Sequence, residues 1–113
     1  SGFALTFDGT NLGLGVTPNA WNSVYRALQL PFGASLSGRT DTPETLLTSN
    51  IYRDSGGFKY SGTGLATAYF QTAGGHLWHT APSGTAGNAI SFTQAMQQAQ
   101  LCVYGWFHLE THQ

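Results

Sequence analysis

ATAYFQTAGGHLWHT, residues 66–80, is the stretch that decides the fold of this chain. Two runs of residues that favour β-strands flank Ala73-Gly74-Gly75. Adjacent glycines accept the positive φ values that a tight turn demands. The stretch therefore predicts a β-hairpin with its turn at these three residues.

A second hairpin is predicted immediately before the first. Asp54-Ser55-Gly56-Gly57 is a strong turn signal, and the mixed apolar pattern of residues 45–53 indicates a strand before it. Residues 58–61 supply the partner strand, and Gly62-Thr63-Gly64 turns the chain again. The sequence thus predicts a meander of short antiparallel strands.

The N-terminal residues alternate large apolar side chains with small or polar ones, over residues 3–7 and again over residues 12–16. This period of two is typical of a strand with one buried face. Gly13 and Gly15 form one side of the second run, which lets another backbone approach closely. We expect copies of the chain to associate along this glycine-rich strand.

Two segments have helical features. In residues 20–30, apolar side chains recur at helical spacing, although the same run could be a strand that ends at Pro31. Residues 94–101 favour a helix by composition. Between them, residues 31–43 are rich in turn-forming residues. The expected fold is mostly β, with one or two short helical segments.

The composition limits the classes of partner. The chain has 113 residues, about the length of one domain, and only 8% of them are charged, against roughly 25% in an ordinary soluble domain. The net charge is −1, so there is no basic surface for nucleic acid or for an anionic membrane. Low charge leaves little repulsion between copies, so we predict a homo-oligomer.

The single cysteine, Cys102, excludes an intrachain disulfide framework, and we interpret it as a core thiol rather than a nucleophile. No apolar run approaches the roughly 20 residues that a membrane-spanning helix requires, and the N-terminus lacks the pattern of a signal peptide. We therefore expect no membrane insertion.

Two motifs carry a resemblance to a known family. FDGTNLGLGVTP, which begins at Phe7, and APSGTAGNAISFTQAM, residues 81–96, resemble recurring segments of bacteriophage tail-fibre and tailspike proteins. The resemblance covers residues 3–96. Residues 97–113 depart from it and form an atypical, aromatic-rich C-terminal tail of the single 1–113 segment.

The resemblance implies an intertwined homotrimeric fibre domain that serves as a structural and host-attachment component of the virion. Its partners would be other copies of the chain, other tail-fibre or baseplate proteins, and host cell-surface polysaccharide, after assembly in the host cytoplasm. One alternative is a fibre spacer or trimerisation module that binds no receptor. Another is a monomeric carbohydrate-binding module.

Catalysis is not expected. The carboxylates could in principle supply the acid and base of a glycosidase, but each lies beside a turn residue or the terminus, where caps and turns explain them. The residues in question are Asp8, Asp41, Glu44, Asp54 and Glu110. No serine and lysine dyad of the self-cleaving fibre chaperones is present. We predict no enzyme activity and no cofactor.

The histidines occur as two pairs, His76 with His79 and His108 with His112. Residues three apart on a strand point to opposite faces, so the first pair could share a metal only across a bulge or turn. The second pair would align on a helix, but it lies at the chain end. We therefore predict no metal site.

Carbohydrate recognition uses flat aromatic faces with short polar side chains, and the chain has many of both. Most aromatic residues are expected to fill the core. The candidates for a glycan site are the aromatic residues next to turns or polar neighbours. They are Trp21, Tyr25, Tyr52, Tyr60 and Trp78.

Overall fold

The computed structural model describes residues 5–98, and within this range the chain is built from short β-strands. The predictions for Phe3, Cys102, His108, His112 and most of the C-terminal tail fall outside the described residues. The strands are β1 (Leu5–Phe7), β2 (Leu12–Leu14), β3 (Tyr25–Gln29), β4 (Ser35–Arg39), β5 (Glu44–Ser49), β6 (Ile51–Asp54), β7 (Gly57–Tyr60), β8 (Gly64–Thr72), β9 (Gly75–Gly84) and β10 (Thr93–Gln98).

Eight of the strands described form one sheet in the order β1-β2-β3-β4-β5-β8-β9-β10, and β6 and β7 form a separate pair. Neighbours in the large sheet are antiparallel except for β2 and β3, which are parallel. The mostly β expectation is confirmed. The intertwined homotrimer stays a prediction.

Both predicted hairpins are present. In the β8–β9 hairpin Thr72 pairs with Gly75, and the two turn residues between them, Ala73 and Gly74, have φ of 53° and 76°. Positive φ at both central residues matches the right-handed twist of the flanking strands. In the β6–β7 hairpin Asp54 pairs with Gly57, where φ is 117°.

The helix considered for residues 20–30 does not form, and the strand alternative is correct. Tyr25, Ala27 and Gln29 alternate inward along β3, which is hydrogen-bonded to strands on both sides. Trp21 lies in the loop before β3, so the apolar residues that gave the helical spacing belong partly to that loop and partly to the strand. A single 3₁₀ turn, Pro31–Gly33, is the one helical element of residues 5–98.

Residues 94–98 also contradict the helix prediction, because they belong to β10 and pair with β9. Residue 99 onward lies outside the described range. Residues 89–93 also have short, strand-favouring side chains, but β10 starts only at Thr93, and Ala89 makes an isolated bridge with Lys59. The free edge of β9 offers backbone hydrogen bonds, and these override the helix propensity of Gln, Ala and Met.

Residues 31–43, expected as turns, contain β4. Its sequence, SLSGR, is poor in strand-forming residues, but β3 and β5 pair with it on both sides. Its two small inward side chains, Ser35 and Ser37, are buried, and the Ser35 and Thr48 hydroxyls form a hydrogen bond of 2.5 Å. Pairing with its neighbours decided this element.

The core lies on one face of the large sheet. Leu46 and Phe70 from that face pack with Ile51 and Tyr60 of the β6–β7 hairpin. We call this hairpin the covering layer. Phe58 meets both Phe70 and Phe92 edge to face, with ring centroids 5.8 and 5.6 Å apart. Among residues 5–98, large apolar side chains of the opposite face stay exposed. We call this opposite side the outer face.

The glycine-rich strand contacts its own chain. A Cβ placed on Gly13 would lie 1.9 Å from the Val16 carbonyl oxygen and 3.0 Å from Pro18 Cδ. A Cβ on Gly15 would lie 3.2 Å from Pro31 Cγ. The close approach that these glycines permit is therefore made within the chain, so they do not themselves indicate where copies associate.

No helix within residues 5–98 is long and apolar enough to cross a membrane.

Candidate functional site

One row of side chains crosses the whole outer face. Each strand of the large sheet contributes one residue, and each residue of the row is the register partner of the next. Side chains opposite each other on neighbouring strands are in contact distance. In sheet order the row reads Phe7, Leu12, Leu28, Leu36, Leu47, Tyr69, Trp78 and Met96.

The row has two chemically different halves. From β1 to β5 it is almost entirely aliphatic, and Leu5 and Leu14 extend it by one more register pair. We call these seven residues the leucine patch: Leu5, Phe7, Leu12, Leu14, Leu28, Leu36 and Leu47. On β8 and β9 the row is aromatic instead.

The aromatic half is a set of nearly parallel rings. Tyr69 and Trp78 have centroids 5.2 Å apart and planes 22° apart, and His76 lies 6.0 Å from Trp78 at 24°. The Tyr69 and His76 planes differ by only 2°. We call Tyr69, His76 and Trp78 the aromatic platform.

A hydrogen bond stiffens the platform. The Tyr69 hydroxyl and His76 Nδ1 lie 2.6 Å apart, which ties the tip of one ring to the next strand. Aromatic side chains have few rotatable bonds, so a platform held in this way loses little entropy when a ligand covers it. The stacking and the hydrogen bond hold the three rings in one arrangement.

Hydroxyl groups form a second row beside the aromatic one. Ser49 pairs with Thr67, Thr67 with Thr80, and Thr80 with Thr93, so four neighbouring strands each place a Ser or Thr next to the outer row. A hollow of about 380 Å³ lies here, lined by Ser49, Thr67 and Thr80 together with Tyr69 and Trp78. We call Ser49, Thr67, Thr80 and Thr93 the hydroxyl row.

The site carries no charged side chain in its two rows. The carboxylates of residues 5–98 are occupied elsewhere. Arg39 bonds to both oxygens of Asp41 at 2.7 Å and holds the pKa of that carboxyl below its usual range. Lys59 and the Gly56 N–H lower the pKa of Asp54 in the same way. The site is polar only through hydroxyls and ring atoms.

Asp8 stabilises the turn that follows it, as turn chemistry predicts. It accepts hydrogen bonds from the Asn11 and Thr10 N–H groups, and these lower its pKa. Glu44 accepts hydrogen bonds from the Tyr25 and Thr72 hydroxyls. A general acid needs a raised pKa, and a lowered pKa at Asp8, Asp41 and Asp54 gives the opposite. The absence of catalysis stays a prediction.

The two central histidines lie on opposite faces, as their spacing predicted. His76 belongs to the platform, whereas His79 packs inward with centroids 5.0 Å from Phe70 and 5.3 Å from Phe92. Within the described residues, no group of three or more His, Cys, Asp and Glu side chains is placed to hold a metal ion.

Of the five aromatic candidates, three are buried. Trp21, Tyr25 and Tyr60 are 8%, 1% and 4% exposed. Trp21 Nε1 donates to Gln29 Oε1 at 2.7 Å, and the Tyr60 hydroxyl donates to the Pro82 carbonyl. Burial also raises the pKa of Tyr25. These three side chains act as core residues in this chain.

The other two candidates lie apart from each other. Tyr52 is half-buried on β6 and packs against the core from the covering layer. Trp78 lies on the outer face and is the one candidate that belongs to the platform. Sequence reasoning missed Tyr69 and His76. A hairpin with a two-residue turn at Ala73-Gly74 places Tyr69 opposite Trp78, so the turn signal could have identified Tyr69.

A separate cleft of about 560 Å³ lies near the β5–β6 junction. Asn50, with φ of 66°, organises it by donating from Nδ2 to the Gly62 and Leu65 carbonyls and accepting from the Gly62 N–H. Phe32, 98% exposed, and Leu65, 72% exposed, stand at its rim. Since both polar ends of Asn50 hold the loop together, this cleft is a weaker ligand site than the platform.

Comparison of the chain with protein-family models, with curated proteins and with solved structures finds no match.

Proposed function

We propose that this chain is a homotrimeric segment of a phage tail fibre or tailspike that attaches the virion to a neutral glycan on the host surface. The observation that carries the proposal is the aromatic platform beside the hydroxyl row, neither of which contains a charged Lys, Arg, Asp or Glu side chain. The resemblance of residues 81–96 to fibre segments supports the virion setting. Its other partners would be further fibre or baseplate proteins.

The platform suits a sugar by its chemistry. A pyranose presents an apolar C–H face, which stacks on flat rings, and hydroxyls at its edge, which pair with short polar side chains. Trp78 and Tyr69 supply the rings, and Thr67 and Thr80 supply hydroxyls on neighbouring strands. Because no cation faces the site, a neutral polysaccharide fits better than an anionic one.

Multivalency would make such a site useful. A small, open, stacking site is expected to bind one sugar weakly, on the order of millimolar, but three sites per trimer and several fibres per particle raise the avidity by effective concentration. The platform favours an attachment role over the spacer alternative, which needs no ligand site. A monomeric carbohydrate-binding module would use the same platform, so solution mass separates it from the fibre proposal.

The proposal is tested by Trp78→Ala. We expect the variant to lose about 5- to 30-fold in affinity for immobilised host polysaccharide, since stacking on one ring contributes roughly 1–2 kcal/mol. The matched control is Phe32→Ala, which removes an exposed aromatic ring away from the platform. Equal binding by both variants and the unmodified chain would show that the platform is not the glycan site.

A further inference from the structure

The leucine patch is a large exposed apolar surface. Phe7 is 68% exposed, Leu47 57% and Leu36 47%, and Leu5 and Leu14 are each nearly half exposed. Together these five side chains present on the order of 500 Å² of contiguous apolar surface, at the upper end of what monomers show. A standard interface buries roughly 800 Å² per partner, so the patch alone supplies more than half of one side.

The chemistry of the patch points to an aliphatic partner. Arg26 is the one charged residue of β1 to β5 on this face, and its guanidinium is folded back to donate to the Ser23 and Tyr25 carbonyls at 2.9 Å. Leucine side chains offer no flat ring for a sugar and no charge for an anion or cation. The surface that complements the patch is therefore uncharged and aliphatic.

The patch has a concave part and, beside it, an exposed leucine. A hollow of about 460 Å³ lies between Phe7, Leu12, Leu28 and Leu36. Leu47 stands outside the hollow and projects from the next strand. One chain thus carries both an exposed leucine and an apolar hollow, so Leu47 of one copy is suited to fill the hollow of a second copy. A contact that joins two different surfaces of one protomer closes into a ring when the rotation fits, as in a trimer.

We propose that a second copy of this chain packs on the leucine patch, with Leu47 of one copy in the hollow beside Leu36 of the next. The inference deepens the proposed function and rests on it for the trimer, because it names the surface through which the copies meet. Because Leu47 is the register partner of Tyr69, the contact ends next to the aromatic platform, and Trp78 lies one strand further out.

The test is the solution mass of the full chain by light scattering across a dilution series. We expect the unmodified chain to give about three times 12.1 kDa, and Leu36→Ser with Leu47→Ser to give the mass of one chain at the same concentration. The dissociation midpoint should rise at least about 100-fold, about 10-fold for each of the two leucines. Leu65→Ser, which changes a more exposed leucine outside the patch, should keep the mass of the unmodified chain.

A second measurement keeps the inference testable if the double variant does not fold. In a Cys102→Ser background, a mixture of Leu47→Cys and Leu28→Cys chains should give covalent dimers of the two variants with a short bismaleimide, and a mixture of Leu65→Cys and Leu28→Cys chains should not. A monomeric unmodified chain, or equal cross-linking in both mixtures, would overturn the inferred interface. A trimer that persists in a folded double variant would overturn the interface but not the attachment role. Loss of glycan binding in Trp78→Ala tests that role independently.

Discussion

Gln29 illustrates how single residues hold the loop that covers the core. Its Oε1 accepts from Trp21 Nε1 at 2.7 Å and also from the Asn19 N–H, and its Nε2 donates to Asn19 Oδ1 at 2.8 Å. The glutamine lies inside the fold, where an unpaired polar atom is costly. This one side chain therefore fixes the path of residues 19–21 over the sheet.

We expect Gln29→Ala to destabilise the chain by about 2–4 kcal/mol, because it leaves the buried Trp21 N–H without its acceptor and opens a small cavity. Chemical denaturation with tryptophan fluorescence as the readout measures the change. Gln71→Ala, at an exposed position of β8, is the matched control and should change the free energy of unfolding by less than about 0.5 kcal/mol. Similar losses for the two variants would contradict this role for Gln29.

At the scale of elements, the β8–β9 hairpin organises the outer face. Its two-residue turn sets the register, and the register places Tyr69 opposite Trp78 and Thr67 opposite Thr80. A shift by one residue would turn the platform into the core, since side chains alternate between faces. Ala73 adopts a φ of 53°, which residues other than Gly, Asn and Asp rarely hold, so this turn has a conformational cost.

Ala73→Asn should therefore stabilise the hairpin by about 0.5–1 kcal/mol, since Asn-Gly is the preferred pair for a turn with two positive φ values. Thermal unfolding followed by circular dichroism should show a Tm higher by a few degrees. Ala86→Asn places the same residue in another exposed turn whose φ is not positive, and it should leave the Tm unchanged. A lower Tm for Ala73→Asn would argue against this turn geometry.

At the scale of the whole molecule, most charge is kept away from the outer face: among the eight described strands of the large sheet only Arg26 is a charged residue of that face, and its guanidinium donates to backbone carbonyls. The ion pairs Arg39–Asp41 and Lys59–Asp54 lie in turns and in the covering layer. The outer row instead runs from an aliphatic patch to an aromatic platform. One covered face holds the fold together, and the other exposes the leucine patch and carries the aromatic platform.

Acid should weaken the fold through its carboxylates. Asp8, Asp41 and Asp54 have lowered pKa values, so the stability they contribute is fully present above pH about 4, the unfolded value, and is lost as the pH falls through the folded values. We expect a Tm that is flat from pH 5 to 7 and declines below pH about 4. Asp41→Asn with Asp54→Asn should flatten that decline, and an unchanged decline would exclude these two carboxylates as its source.

The sequence by itself determined the fold class, both hairpins and the alternation that separates His76 from His79, because turn chemistry and the period of two are local properties. Only the tertiary structure decided that residues 25–29, 35–39 and 93–98 are strands, since each depends on backbone partners supplied by distant segments. Burial of Trp21, Tyr25 and Tyr60, and assembly of Tyr69, His76 and Trp78 into one platform, were likewise decided in three dimensions. Propensity acts along the chain, whereas burial and cross-strand contact depend on which strand lies next to which.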